Sequence, residues 1–136
     1  MRYLLDINFI SELRKEHRAN RGVLAWGLAH DPMLCALSVI TIGEIRSGIE
    51  NSRLRDLTQA IAIEKWLGEQ LVLFSNNILG VTVEIADRWG RLISQTRLPP
   101  QDLLLAATAL EHDLTVITRN VMDFESSGAR VYNPWN

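Results

Sequence analysis

Four acidic residues in distant parts of the chain have the type and placement to do chemistry together. Asp6 closes the apolar run Tyr3-Leu4-Leu5. Glu44 comes soon after a second apolar run, Leu34 to Leu37. Asp102 opens a long apolar segment, and Asp123 follows a further run, Leu114 to Thr118. Each has an ordinary explanation. Asp6 and Asp123 suit turns or caps. Thr41-x-x-Glu44 has the form of a capping box, and Asp102 would be favoured at a helix N-terminus. These explanations give no reason for all four to gather at one place. Carboxylates within a few ångströms of one another repel and oppose folding. A divalent cation removes that penalty, and carboxylate oxygens are suitable ligands for Mg²⁺ or Mn²⁺, which in turn bind phosphate oxygens. Such a centre supports hydrolysis of a phosphodiester.

The elements that must bring the acids together follow from the hydrophobic pattern. Arg2 to Leu5 reads as a buried strand, followed by a helix over Asn8 to Glu16. Val23, Leu24, Gly27 and Leu28 mark one face of a second helix, which Asp31-Pro32 ends. Leu34 to Leu37 is a strand, and a helix runs from Thr41 to Ile49 with Glu44 in its first turn. Leu54 to Leu67 is helical, with Leu57, Ile61, Ile63 and Trp66 spread over more than one face, which predicts burial on two sides, one against another subunit. Leu71 to Phe74 reads as a third strand. A helix from Thr82 carries Ile85, Ala86, Trp89, Leu92 and Ile93 on one stripe. Pro99-Pro100 starts the next helix, which runs over Asp102 to His112 and is apolar nearly all round. Leu114 to Thr118 is a fourth strand, and Arg130 to Tyr132 a short fifth.

Strands alternating with helices predict an α/β fold, a three-layer α/β/α sandwich around a parallel sheet of four to five strands. No repeat or linker interrupts the chain, so residues 1–136 read as a single domain. Ligands of such sheets collect beyond the carboxyl ends of the strands, where all four acids fall.

Composition narrows the field. A chain with 47% hydrophobic and 22% charged residues has an ordinary globular mixture. No stretch approaches the roughly 20 apolar residues of a membrane span, and the expected location is the cytoplasm. The single cysteine, Cys35, has no partner for an internal disulfide and reads as a buried small side chain. The net charge of −2 excludes a generally basic nucleic-acid binder. Any such role rests on a local group such as Arg14, Lys15, His17, Arg18 and Arg21, for which a solvated helix face and phosphate contact are both open readings. His17, His30 and His112 are scattered, without HExxH or Cys/His spacing. There is no P-loop and no GxGxxG.

The motifs themselves are distinctive. Tyr3-Leu4-Leu5-Asp6-Ile7-Asn8-Phe9-Ile10-Ser11-Glu12-Leu13 resembles the opening motif of VapC-type PIN domains, LLDTNxxSEL. Ser38 to Ile49 resembles their second motif, and Pro100-Gln101-Asp102 through Ala109 their third. Thr118-Arg119-Asn120, Asp123-Phe124 and Asn133-Pro134-Trp135 resemble the last, the final three residues being those of the FitB-like branch. The resemblance implies a PIN fold, Mg²⁺- or Mn²⁺-dependent cleavage of single-stranded or loop RNA, a homodimer, and a cognate antitoxin that blocks the site in a hetero-oligomer. By the same resemblance Asp6, Asp102 and Asp123 would hold metal, and Glu44 would act as a ligand or orient the attacking water. Asn8, Thr118 and Asn120 would support them, with Arg14, Lys15, Arg18 and Arg46 toward nucleic acid. Two positions depart from the pattern. Ile7 stands where the hydroxyl of a threonine is usual, and Asn120 where some relatives carry an acid, which passes the last contact to Asp123 or to a water.

Two other readings compete. A PIN-like module without cleavage would serve only assembly with an antitoxin or on DNA. A phosphoryl-transfer domain with an aspartyl nucleophile would need DxDx[TV], where this chain has Asp6-Ile7-Asn8. A receiver-like domain would need a late lysine, whereas Lys15 and Lys65 are the only two.

Overall fold

The computed structural model describes residues 1–136 and is an α/β/α sandwich. A five-stranded sheet in the order β3-β2-β1-β4-β5 has every pair parallel. Its strands are β1 (Tyr3–Leu5), β2 (Cys35–Ser38), β3 (Ile78–Leu79), β4 (Thr115–Ile117) and β5 (Arg130–Tyr132). The central strand β1 aligns Leu4 with Ala36 on one side and with Val116 on the other.

Alternation along the strands divides the core in two. Leu4, Ala36 and Val116 face one layer, made by α5 (Val83–Gln95), α6 (Pro100–His112) and α7 (Val121–Glu125). Leu5, Leu37 and Ile117 face the other, made by α1 (Ile7–Leu13), α2 (Arg21–Ala29), α3 (Val39–Arg53) and α4 (Leu57–Leu73). On α6, Leu103, Leu105, Ala106, Ala107 and Ala109 are all buried. The small side chains let this helix lie close to the sheet, and the closer the approach, the more apolar surface leaves water. Pro100 enters at its first turn, and Asp113 ends it in the left-handed conformation (φ 54°).

Several boundaries differ from the sequence reading. The segment Leu71–Phe74 is not a strand but the end of α4, which starts from an Asp56 cap and runs to Leu73. A short apolar run is compatible with either element. Here the i→i−4 ladder continues, with the Phe74 amide donating to the Gln70 carbonyl. Val72 is left 76% exposed, unlike a buried strand residue. The third strand follows at Ile78–Leu79, where the Asn77 carboxamide donates to the Met33 and Cys35 carbonyls and ties it to the start of β2. On α2 the buried residues are Val23 and Trp26, while Leu28 faces solvent. Trp26 earns its burial by stacking on His30 and meeting Tyr3 and Phe9 edge-on. The first helix is shorter than Asn8–Glu16, ending at Leu13 before a 3₁₀ turn over Glu16–Arg18.

The third helix starts at Val39 rather than Thr41. Ser38, the last residue of β2, accepts from the Ile40 amide at 3.1 Å and caps it. Thr41 is then fully buried, and its hydroxyl has no hydrogen-bond partner. The capping box therefore does not form, and Glu44 sits in the second turn with no capping duty. An unpaired buried hydroxyl costs about 1–3 kcal/mol. Thr41→Val is accordingly expected to keep the fold and raise its stability by about 1 kcal/mol in urea denaturation, whereas a loss would show that the hydroxyl has a partner.

Candidate active site

Strand β1 leads to β2 on one side of the sheet, and the chain later crosses over to β4 on its other side. The crevice at the carboxyl ends of β1 and β4 is therefore the topological switch point. Asp6 and Thr118, the residues immediately after these two strands, meet there. The Thr118 hydroxyl donates to Asp6 Oδ2 at 2.7 Å, and the Ile7 amide donates to Asp6 Oδ1 at 2.8 Å. The Asn8 amide group donates to Thr118 Oγ1 at 3.1 Å and to Asp6 Oδ2 at 3.3 Å. Two backbone amides close the network: that of Arg119 donates to Asn8 Oδ1, and that of Asn120 donates to Thr118 Oγ1. The hydroxyl missing at Ile7 thus has a counterpart in Thr118, which reaches Asp6 from the neighbouring strand.

Asp6 is only 4% exposed. Burial pushes its carboxyl above the usual range, against the pull of the Thr118 and Ile7 hydrogen bonds, and the charge of Asp123 adds to the rise. Asp102, in the first turn of α6, is pushed up to about 6, first by burial and then by the charges of Asp6 and Asp123. Glu44 is also raised, by burial and then by Asp6 and Asp102. The four carboxyl groups therefore share one field, although they come from four different elements. None is paired with a cationic side chain. The donor set suits a hard divalent cation, since it is all carboxylate oxygen. It is not a closed cage, because no three acidic, histidine or cysteine side chains already stand close enough to grip an ion. Asn120 occupies the cap position of α7 without a side-chain hydrogen bond, and it lines a recess with Asp123, Arg119 and Asn133.

The basic residues separate on inspection of their partners. Arg46 is not directed to the site: it pairs with Glu64 at 2.5 Å and Glu50 at 3.3 Å, in a network with Arg53 that joins α3 to α4. Lys15 pairs with Glu12, one turn back on α1. Arg18 lies exposed in the 3₁₀ turn and lines neither cleft beside the acids. Arg14 alone of the four lines a cleft next to Glu44. The sequence reading passed over Arg119, whose guanidinium lies 5.7 Å from the Trp135 ring centre and whose backbone anchors Asn8. It also passed over Ser47 and Gln101, which line a cleft with Glu44. Their positions one turn after Glu44 and one residue before Asp102 were the available signal.

Comparison with known proteins agrees with this geometry. The PIN domain profile matches residues 3–125. The chain belongs to the PIN-domain family. It is 31% identical over 137 residues to the VapC ribonuclease Y4jK of Sinorhizobium fredii, with 97% of this chain and 96% of that one aligned. Among solved structures it resembles that of FitAcB from Neisseria gonorrhoeae, with a TM-score of 0.88, 31% identity and coverage of 98% of this chain and 99% of the other. It also resembles a toxin–antitoxin complex from Klebsiella pneumoniae, with a TM-score of 0.74, 27% identity and coverage of 98% of each chain. Helices on both faces of a parallel sheet are thus the PIN arrangement in this chain.

The raised carboxyls have a consequence for stability. A carboxyl whose pKa is higher in the folded than in the unfolded chain binds more protons when folded, so its contribution to stability falls as the pH rises between the two values. For Asp102 that window runs from 3.8 to about 6. In the presence of a chelator, Asp102→Asn is expected to match the parent near pH 4 and to exceed its urea midpoint increasingly up to about pH 6. Equal midpoints at pH 7 would show that the Asp102 charge carries no penalty.

Proposed function

We propose that this PIN domain is a metal-dependent endoribonuclease toxin that hydrolyses phosphodiester bonds in single-stranded or loop RNA and is neutralised by a cognate antitoxin. The observation that carries the reading is the buried Asp6 carboxylate, held by Thr118 beside Glu44, Asp102 and Asp123 with no protein cation to balance them. The family resemblance to a VapC ribonuclease and to a toxin–antitoxin complex supports it.

In this reading Asp6, Asp102 and Asp123 hold Mg²⁺ or Mn²⁺, with Glu44 completing the pocket. The bound cation would offset the charge of the phosphate and make water a better nucleophile. The protein's own groups do the positioning. Thr118 and the Asn8 carboxamide donate to Asp6 Oδ2 and the Ile7 amide to Oδ1, which fixes the carboxylate and leaves a lone pair on Oδ1 free for ligation. Asn8 locks Thr118 in place through its amide, and Asn120 is placed to orient a water beside Asp123. Glu44 has a raised affinity for protons and is free of salt bridges, so it suits the role of accepting a hydrogen bond from the attacking water. The sheet edge, the strand ends and the clefts form one unit over residues 1–136, which act as a single domain.

No helix is long and apolar enough to cross a membrane, and we place the activity in the cytoplasm. Leu54, Leu57 and Ile61 are 87%, 56% and 55% exposed around the start of α4. An apolar group of this kind supports a homodimer contact, within a hetero-oligomer that includes the antitoxin.

Asp6→Asn and Asp102→Asn are each expected to lower Mg²⁺-dependent cleavage of single-stranded RNA by at least about 100-fold while the protein stays folded, from loss of transition-state charge stabilisation. Parent-like rates in both variants would refute the site. Mg²⁺ is also expected to raise the melting temperature of the parent more than that of either variant. A parent that binds the ion but cuts no RNA would instead be a silent assembly module. Expression without a partner is expected to arrest growth, and Asp6→Asn to relieve the arrest. Unimpaired growth with verified folded parent protein would count against a toxin.

A further inference from the structure

Two clefts meet at Glu44. The larger, about 540 Å³, lies between the starts of α3 and α6. Ile7, Val39 and Ile40 form its apolar wall, and Ser47 and Gln101 bring a hydroxyl and a carboxamide. Val39 is 40% exposed, an apolar side chain kept at the surface beside a charged site. Gly43 leaves the cleft open, since a Cβ there would meet nothing within 4 Å. The smaller cleft, about 310 Å³, runs the other way between α1 and the α3–α4 pair. Arg14 and Arg55 line it from separate elements, and Trp66 lines it from α4. Neither arginine is paired with a carboxylate, whereas Arg46, Arg53, Arg88, Arg91 and Arg130 all are.

We propose that a single RNA strand lies across Glu44, with one unstacked base in the larger cleft, read by Gln101 and Ser47, and its neighbouring phosphates on Arg14 and Arg55. This inference rests on the ribonuclease reading and adds the path of the substrate to it. An unstacked base offers a flat face to an apolar wall and a hydrogen-bonding edge to polar side chains. A carboxamide can both donate to and accept from such an edge. Two unpaired guanidinium groups at one cleft match a strand that carries a negative charge at every step. They also balance the repulsion between that strand and the acids it must approach. The mixed apolar and polar lining of the clefts suits a nucleotide of a flexible strand better than an apolar helix.

Binding and cleavage of the full-length protein test the two halves separately. For binding, the Asp102→Asn protein is titrated with fluorescent single-stranded RNA at several salt concentrations. Adding Arg55→Gln is expected to weaken every sequence alike and to reduce the slope of log affinity against log salt by about 0.7. For cleavage, Gly43→Leu and Gln101→Ala are each made in the parent, and cut sites are mapped on a randomised RNA. Gly43→Leu fills the larger cleft from a helix surface with open space around it. Both variants are expected to lose about 10-fold of the parent's base preference at the cut site, with melting temperatures at or above the parent's. An unchanged salt slope, or an unchanged cut-site profile in both cleavage variants, overturns the proposed path while the ribonuclease reading stands. So does an Arg55→Gln protein that binds RNA normally but no longer holds a partner protein, since the smaller cleft would then be a protein-docking groove. A parent that cuts no RNA overturns the ribonuclease reading and this path together.

Discussion

A carboxylate kept out of water is the constraint from which the rest of this molecule follows. Asp6 sits at the end of the central strand with almost no solvent contact. A charge in that position is tolerated only when hydrogen bonds replace the lost water. The Ile7 amide supplies one as a consequence of helix α1 starting immediately after β1. Thr118 supplies the other, and can do so only because β4 pairs directly with β1 in parallel register. The network that fixes Asp6 is therefore a product of the sheet order itself. Asn8 and the Asn120 amide then hold Thr118, so the supporting shell is stitched from both sides of the switch point. Against these bonds work the neighbouring carboxyl charges, which raise the proton affinity of Asp6, Glu44 and Asp102. The site is stable enough to fold and still electrostatically unsatisfied, and that combination favours a bound cation.

The two core layers explain how such a site stays open. Alternate residues of each strand are committed to one helical layer or the other, which leaves the strand ends as the place where polar groups can gather. The tight packing of α6 on the sheet, through its alanines, brings Asp102 toward the β1–β4 crevice. On the opposite layer α3 begins directly at the end of β2, and the ion-paired network between α3 and α4 holds Glu50, Glu64, Arg46 and Arg53 away from the acids. Glu44 projects on the other side of that helix and joins both clefts.

Much of this arrangement could be read from the chain. The acids after apolar runs, the alternation of strands and helices and the absence of competing metal motifs together pointed to a parallel sheet with a carboxylate centre. The errors share a cause: local signals that tertiary context resolves. Leu71–Phe74 is apolar enough for a strand, but the helix begun at Asp56 runs through Gly68 and on to Leu73, with no proline to end it. Thr41-x-x-Glu44 matched a capping box, yet the helix starts directly after β2 and Ser38, three residues before Thr41, takes the cap. Arg46 is two residues from Glu44, but on a helix that places it about 200° round the axis, toward Glu64 rather than the site. Ser47 and Gln101 had only their spacing from Glu44 and Asp102 as a signal, and it gains meaning once two helix ends are seen to face one cleft.

The hydrogen bond between Asp6 and Thr118 joins residues 112 positions apart. During translation the first of them leaves the ribosome long before the second has been made, and the central strand waits without its β4 neighbour. Until Thr118 has been made, the nascent polypeptide accordingly lacks the partner that holds Asp6. The Asp6 network can close only once the fourth strand lies beside the first.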